Sequence, residues 1–137
     1  DNCIFSNNST LAGHVTVGDY VTLAGMVAVH QFCNIGRHVF IAGGSLVRKD
    51  IPPFVKAARE PLSYVGINSV GLRRRGFSSE KIREIQNIYR ILYQKKFNNT
   101  QAINIIEAEV EATSDRDEIL VFIKDSQRGI MKGYIQN

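Results

Sequence analysis

Residues 3–50, written in groups of six, read CIFSNN, STLAGH, VTVGDY, VTLAGM, VAVHQF, CNIGRH, VFIAGG and SLVRKD. The third position of all eight groups is apolar, occupied by Phe5, Leu11, Val17, Leu23, Val29, Ile35, Ile41 and Val47. The fourth position is small in six of the eight groups, and the exceptions are His30 and Arg48. A period of six residues is not helical, and it indicates a parallel β-helix. We therefore expect the apolar residue to point into each coil and its small neighbour to let the chain turn a corner.

The residue types of the repeat favour short strands joined by tight corners. Val, Ile and Thr dominate the groups, whereas Gly and Asn are expected wherever a corner needs an unusual backbone angle. Pro52 and Pro53 end the repeat, because proline cannot donate to a strand ladder. The sequence thus predicts a β-solenoid over residues 1–53. The irregular pattern after it predicts a connecting loop with an arginine motif over residues 54–77.

Amphipathic helices are predicted in the last part of the chain, residues 78–137. Ser78 is expected to cap the first helix, with Glu80 in the first turn, where the helix dipole favours an anion. Thr100 should cap a second helix, and Ser114 should start a third. The apolar faces comprise Ile82, Ile85, Ile88, Tyr89 and Leu92, then Ile103, Ile106 and Val110, then Ile119, Phe122 and Ile123. This small α-helical domain would cover the C-terminal end of the coil stack.

Composition narrows the classes of protein and partner. The 137 residues carry a net charge of +4, which suits an acidic partner or a phosphorylated substrate as well as ordinary solubility. No apolar run approaches the roughly 18 residues that would span a bilayer. No aromatic residues interleave the basic cluster, so a single-stranded nucleic acid is not an expected partner.

The two cysteines and the first residue carry further expectations. Cys3 and Cys33 lie five groups apart and fall on different faces if three groups make a coil, so no disulfide is expected between them. We interpret both as small buried residues in a reducing compartment. The chain starts at Asp1, inside a repeat and without a Met, and we expect it to be part of a longer protein.

The three histidines all lie in the solenoid. His14 and His30 are 16 residues apart, which places them on neighbouring coils near the same edge, and His38 lies one face further round. The simplest interpretation is that all three are surface histidines on turns. His30 fits it least, because it replaces a small residue and is followed by Gln31, another hydrogen-bonding group. A zinc site is the metal alternative, although no Cys or His spacing here is specific for a metal.

A run of three arginines occupies the segment GLRRRGF, residues 71–77. Such a charge run is usually a solvated face. Its position between two glycines and just before a helix start favours a more specific use. Arginine forks bind phosphate bidentately, and a glycine lets the backbone come close to the ligand.

Four segments in this order are similar to those of a known family: STLAGHVTVGDY, GMVAVHQFCNIGRH, DIPPFVKA and GINSVGLRRRGFS. The chain resembles the UDP-N-acetylglucosamine acyltransferases of lipid A biosynthesis. The similarity covers nearly the whole chain and corresponds to about the C-terminal half of such a protein. It implies a left-handed parallel β-helix of hexapeptide repeats, a C-terminal helical domain, a homotrimer and a cytoplasmic location.

The resemblance also implies an activity and a set of site residues. The family moves a 3-hydroxyacyl group from acyl carrier protein to the 3-hydroxyl of UDP-N-acetylglucosamine, the first step of lipid A biosynthesis, without a cofactor or metal. Its general-base histidine is expected a few residues before Asp1. The positions matching the family are Gly13 for the oxyanion, His14 near the reaction centre, His30 and Gln31 for the substrates, Asn68, Arg74 and Arg75 for the nucleotide, and Gly43 as the acyl-chain ruler. Glycine at the ruler position implies a long acyl group.

One departure from the family and several alternatives stay open on the sequence alone. Val70 stands where the family often has a glutamate, so recognition of the nucleotide sugar is expected to differ in detail. Another β-helix acyltransferase, such as the one acylating the 2-amino group, is the related alternative. A zinc-dependent, carbonic-anhydrase-like β-helix and a binding module without catalysis are the others. Residues 1–137 alone are expected to bind weakly and not to turn over.

Overall fold

The structure is a computed structural model, and it describes residues 2–5, 9–94 and 97–133. The repeat folds into eight two-residue strands, each formed by the second and third positions of a group. They are β1 (Ile4–Phe5), β2 (Thr10–Leu11), β3 (Thr16–Val17), β4 (Thr22–Leu23), β5 (Ala28–Val29), β6 (Asn34–Ile35), β7 (Phe40–Ile41) and β8 (Leu46–Val47).

Parallel pairing of these strands builds a coil with three faces. Thr22 pairs with Phe40, and Ala28 pairs with Leu46, so equivalent positions recur after eighteen residues. Face A contains β1, β4 and β7, face B contains β2, β5 and β8, and face C contains β3 and β6. Three groups therefore make one coil, as the period predicts.

The first and third positions of each group form the interior. Val21, Leu23, Val27, Cys33, Val39 and Ile41 have no exposed side-chain surface. Burial of one such aliphatic side chain stabilises the fold by about 1.5–3 kcal/mol. Cys33 is buried and Cys3 is half-buried, and no disulfide joins these two described residues, as expected from their spacing. In the first coil Phe5 and Leu11 keep 47% and 38% of their surface exposed.

The corners between residues 12 and 44 use the left-handed backbone region at the sixth position of the group, and five of these six positions carry large side chains. The φ angles there lie between +60° and +75° at His14, Tyr20, Met26, Phe32, His38 and Gly44. The expectation that Gly and Asn would take these angles holds at Asn2 and Gly44 and is wrong at the other five corners. Side chains at this position point outward and stack on their equivalents one coil away, and we attribute the tolerance of the left-handed backbone to this packing.

Glycine is needed instead at the fourth position of the corner between faces C and A. A Cβ on Gly18 would lie 2.7 Å from the backbone nitrogen of Arg37. A Cβ on Gly36 would lie 2.5 Å from the nitrogen of Pro53. The coils approach each other too closely here for any side chain.

The prediction of a connecting loop over residues 54–77 is wrong for most of that segment. The segment contains β9 (Val55–Ala58), the antiparallel β10 (Ser63–Ile67) and the short helix α1 (Ser69–Arg74). β9 extends face A, with Phe40 paired to Lys56. Because Val55 and Ala57 are buried while Lys56 is exposed, the segment alternates like a strand immediately after the two prolines.

The remaining elements are α2 (Ser79–Leu92), α3 (Asn99–Glu109), α4 (Ser114–Asp125) and β11 (Lys132–Gly133). Ser78 caps α2 as predicted, and its hydroxyl accepts from the backbone N–H of Lys81. The predicted Thr100 cap of α3 is wrong, because Asn98 forms a reciprocal capping box with Gln101. β11 adds to β10 in a tail for which the sequence pattern gives no prediction. Within the described ranges, no helix combines the length and apolarity needed to cross a bilayer.

The helices attach to the end of the solenoid through a few specific contacts. The buried hydroxyl of Tyr89 donates to the Pro53 carbonyl at 2.6 Å. Arg37, on the corner between faces C and A, donates through Nε to Glu118 of α4 at 2.9 Å. Asp115, also on α4, is buried; it lies 3.7 Å from the Arg37 guanidinium and pairs with the Lys81 ammonium of α2 at 3.0 Å. The helical domain therefore covers the C-terminal end of the coil stack.

Candidate functional site

The predicted site residues lie on three different corners of the solenoid. The A–B corner comprises residues 24–26 and 42–44, the B–C corner residues 12–14 and 30–32, and the C–A corner residues 18–20, 36–38 and 52–54. Gly43 lies on the A–B corner. Gly13, His14, His30 and Gln31 lie on the B–C corner. Asn68, Arg74 and Arg75 lie beyond the repeat and meet the C–A corner.

The B–C corner presents exposed histidines on neighbouring coils. The rings of His14 and Phe32 stack with centroids 5.2 Å apart and planes 14° from parallel. His30, two residues before Phe32, is held through its backbone, since its N–H donates to the Val47 carbonyl at 2.9 Å. The prediction that His14 and His30 lie on neighbouring coils near the same edge is therefore confirmed. Both imidazoles are exposed, which leaves them free to contact a bound substrate.

Gly13 and Gln31 occupy the same corner position one coil apart, and both are exposed. A Cβ placed on Gly13 would meet no atom within 4 Å. Space therefore lies directly in front of the Gly13 backbone, where a reacting carbonyl could approach an N–H donor.

The C–A corner carries a column of stacked rings. The rings of Tyr20 and His38 have centroids 5.0 Å apart, and those of His38 and Phe54 lie 5.8 Å apart. Phe77, just after the arginine run, contacts His38 edge-on at 5.2 Å. Sequence reasoning missed this column. The signal was present, since Tyr20 and His38 are eighteen residues apart and therefore occupy the same corner on neighbouring coils.

Asn68 is fixed against this column. Its side-chain amide donates to the His38 carbonyl at 2.9 Å, and its Oδ1 accepts from the Gly71 N–H at 3.4 Å as the cap of α1. The next residues turn through α1 and bring Arg74 and Arg75 back over the same corner. The Arg75 guanidinium lies over the Tyr20 ring, 4.3 Å from its centroid.

Arg74 lines a cavity of about 270 Å³ on face A. Lys56, Asn68 and Val70 also line it, and the two cations make it suited to an anionic ligand. Val70 is 61% exposed and gives the cavity an apolar wall. Lys56 is a lining residue that sequence reasoning missed, because it lay in a segment predicted as loop.

Gly43 is exposed on the remaining corner, where a Cβ would lie 3.2 Å from the Gly25 carbonyl oxygen. The corners are edges of a three-sided prism and point in different directions. One chain therefore does not bring all eight predicted residues into a single pocket. It holds His14 with His30, and separately Asn68 with Arg74 and Arg75.

The histidines do not gather around a metal position. His38 is buried in the aromatic column, on a different corner from His14 and His30. Among residues 2–5, 9–94 and 97–133, no group of three or more His, Cys, Asp and Glu side chains could hold a metal ion.

Burial, together with the positive charges of Arg37 and Arg75, lowers the pKa of His38 from 6.5 to about 4, against the smaller opposing effects of Asp115 and Asp19. The unfolded chain therefore binds the proton first as the pH falls. We expect stability present above pH 6.5 to be lost between about pH 6.5 and 4, by up to about 3 kcal/mol. The check is the free energy of urea unfolding at pH 7 and pH 5, with His38→Phe as control. An equal loss in the His38→Phe variant would contradict this assignment.

Two features narrow the class of protein: a β-helix of six-residue repeats, and polar residues grouped at its corners. Residues 50–131 match the family described as UDP-N-acetylglucosamine O-acyltransferase, domain 2. This match covers more than half of the chain, and the chain belongs to that family.

Related proteins agree with this assignment. An acyl-[acyl-carrier-protein]–UDP-N-acetylglucosamine O-acyltransferase of Stenotrophomonas maltophilia is 43% identical over 131 residues, which cover 95% of this chain and 50% of that protein. The enzyme of the same name from Herminiimonas arsenicoxydans is 46% identical over 136 residues, with coverage of 96% and 52%. The chain thus spans about half the length of the curated relatives it matches.

Solved structures show the same fold. The UDP-N-acetylglucosamine acyltransferase from Bacteroides fragilis superposes with a TM-score of 0.94 at 45% identity, covering 96% of this chain and 52% of that one. The Arabidopsis UDP-N-acetylglucosamine acyltransferase gives 0.89 at 34% identity, with coverage of 96% and 49%. The fold class predicted from the sequence, a left-handed parallel β-helix followed by a small helical domain, is confirmed.

Proposed function

We propose that the protein containing this chain transfers a 3-hydroxyacyl group from acyl carrier protein to the 3-hydroxyl of UDP-N-acetylglucosamine, the first step of lipid A biosynthesis. The proposal rests on one observation, that the chain has two separate corners with different groups of polar residues. One presents Gly13, His14 and His30, and the other presents Arg74 and Arg75 beside a cavity. Acyl transfer to a sugar nucleotide needs both a proton-handling group and a diphosphate site.

In the proposed reaction the sugar 3-hydroxyl loses its proton to a general-base histidine, which we place before Asp1. The oxygen attacks the thioester carbonyl, the C–O bond forms, and the C–S bond then breaks. The carrier thiolate leaves and takes up a proton. The Gly13 backbone N–H stabilises the oxyanion, and His14 contacts the substrate beside it. An oxyanion donor is worth about 10²–10³ in rate.

The other predicted residues bind the ends of the two substrates. His30 and Gln31, on the next coil of the His14 corner, hold the substrates in the cleft. Gly43 lacks a side chain where the acyl chain would run, which favours a long acyl group.

We propose that the site is completed between copies of the chain. The two corners point in different directions, so one copy cannot bring its own histidines and arginines together. The histidines of one copy would instead meet the arginines of a neighbouring copy across an interface. A closed cyclic trimer provides three identical interfaces of this kind. We place this trimer in the cytoplasm.

Arg74→Ala in the full-length protein is expected to raise the KM for UDP-N-acetylglucosamine about tenfold or more, because a charge-assisted bond to phosphate is lost. The kcat at saturation should change little. Arg73→Ala is the matched control, since Arg73 is exposed and lines neither of the two cavities to which Arg74 contributes. An unaltered KM in Arg74→Ala would contradict the assignment. Transfer to an amine acceptor in preference to the hydroxyl would contradict the proposed reaction.

A further inference from the structure

Tyr20 stands at a junction between the solenoid and the arginine run. It occupies the sixth position of its group with φ at +60°, and its half-buried ring stacks on His38. His38 is in turn packed against Phe54 and Phe77, both within 6 Å between centroids. The Tyr20 ring is therefore backed by buried groups and has little freedom to move.

The Arg75 guanidinium rests on this ring, 4.3 Å from the centroid. Among the described residues, none of the ion pairs includes Arg74 or Arg75. The guanidinium is thus held by the face of an aromatic ring. A cation held over a ring keeps its in-plane donors available for an anion.

The same column fixes Asn68, whose side-chain amide donates to the His38 carbonyl. Tyr20, His38, Asn68, Arg74 and Arg75 all line one small cavity of about 90 Å³. The column therefore touches two of the three residues proposed for the nucleotide, and it sets their positions before any ligand arrives.

We propose that Tyr20 is a positioning residue for the nucleotide half of the site, holding the Arg75 guanidinium ready to bind the diphosphate of a nucleoside diphosphate sugar. This inference rests on the proposed function of Arg75. Pre-ordering a long arginine side chain lowers the entropy that the ligand must remove on binding. Its loss should weaken nucleotide binding without altering the chemical step.

The test uses the full-length protein with Tyr20→Met and Tyr20→Phe. Methionine removes the ring, and the left-handed backbone accepts it, because Met26 has φ at +64° at the equivalent position of the next group. We expect Tyr20→Met to raise the KM for UDP-N-acetylglucosamine about fivefold. We expect kcat and the KM for the acyl carrier protein substrate to stay within about twofold, and Tyr20→Phe, which keeps the ring face, to match the wild type.

A double-mutant cycle with Arg75→Ala separates positioning from general damage to the fold. If Tyr20 acts through Arg75, Tyr20→Met has no further effect on this KM once Arg75 is alanine. An equal rise in both backgrounds, or a fall in kcat that Tyr20→Phe does not rescue, would overturn the inference. If Arg75→Ala raises the KM and Tyr20→Met does not, the positioning role of Tyr20 is wrong, and the proposed nucleotide site stands. If Arg75→Ala itself changes nothing, the proposed nucleotide site fails.

Discussion

Gly36→Ala is expected to destabilise the protein by about 3 kcal/mol or more, because the added methyl group has no space. Its Cβ would lie 2.5 Å from the Pro53 nitrogen, 2.7 Å from the Pro53 Cα and 2.8 Å from the Pro53 Cδ. All three are backbone or ring atoms, so no flexible side chain can move aside. Pro53 also accepts the hydrogen bond from Tyr89 that ties α2 to the solenoid. Relief of the clash would therefore disturb the attachment of the helical domain.

Gly13→Ala is the matched control for this measurement of stability. The two glycines lie on the same solenoid, but a Cβ on Gly13 would meet nothing within 4 Å. We expect the free energy of unfolding of Gly13→Ala to stay within about 0.5 kcal/mol of the wild type. Equal stabilities of the Gly36→Ala and Gly13→Ala variants would show that the coils at the C–A corner are not closely packed.

His14→Asn is expected to lower kcat about 100-fold or more in the full-length enzyme, because it removes an imidazole from the proposed reaction centre. Asparagine suits the measurement because it tolerates the left-handed backbone angle, +60°, that His14 adopts. His14 is exposed, so the melting temperature and the oligomeric state should stay close to those of the wild type. A normal kcat in a correctly assembled His14→Asn variant would remove His14 from the reaction centre.

The solenoid could be predicted from the sequence because its signal is local and repeated. Each group places one apolar residue in the interior, and the eighteen-residue coil results from three groups. The same arithmetic puts His14 beside His30 and keeps Gly43 away from both. Sequence reasoning could have found the Tyr20–His38 stack in the same way, since outward-pointing residues one coil apart must also meet.

The segment after the repeat could not be placed in this way. The two prolines end the regular pattern, yet Val55 and Ala57 continue face A. Phe40 pairs with Lys56, sixteen residues later instead of eighteen, so this coil is shorter by two residues. The position of the arginine run then depends on the hairpin of β9 and β10 and on the cap of α1. These are tertiary contacts that no sequence period encodes. Arg75 could be predicted as a phosphate ligand, but its contact with Tyr20 could not.

The central claim is that histidines of one copy and arginines of the next complete a shared site. The most direct test co-expresses, at equal levels, full-length His14→Asn and the double variant Arg74→Ala with Arg75→Ala. Acyl transfer is then measured below the KM for UDP-N-acetylglucosamine. In a cyclic trimer assembled at random, about one quarter of the sites would combine an intact histidine corner with an intact arginine corner, so about a quarter of the wild-type activity should return. If activity stays at the mean of the two parent variants, both corners of a site belong to one copy, which would contradict a site shared between copies.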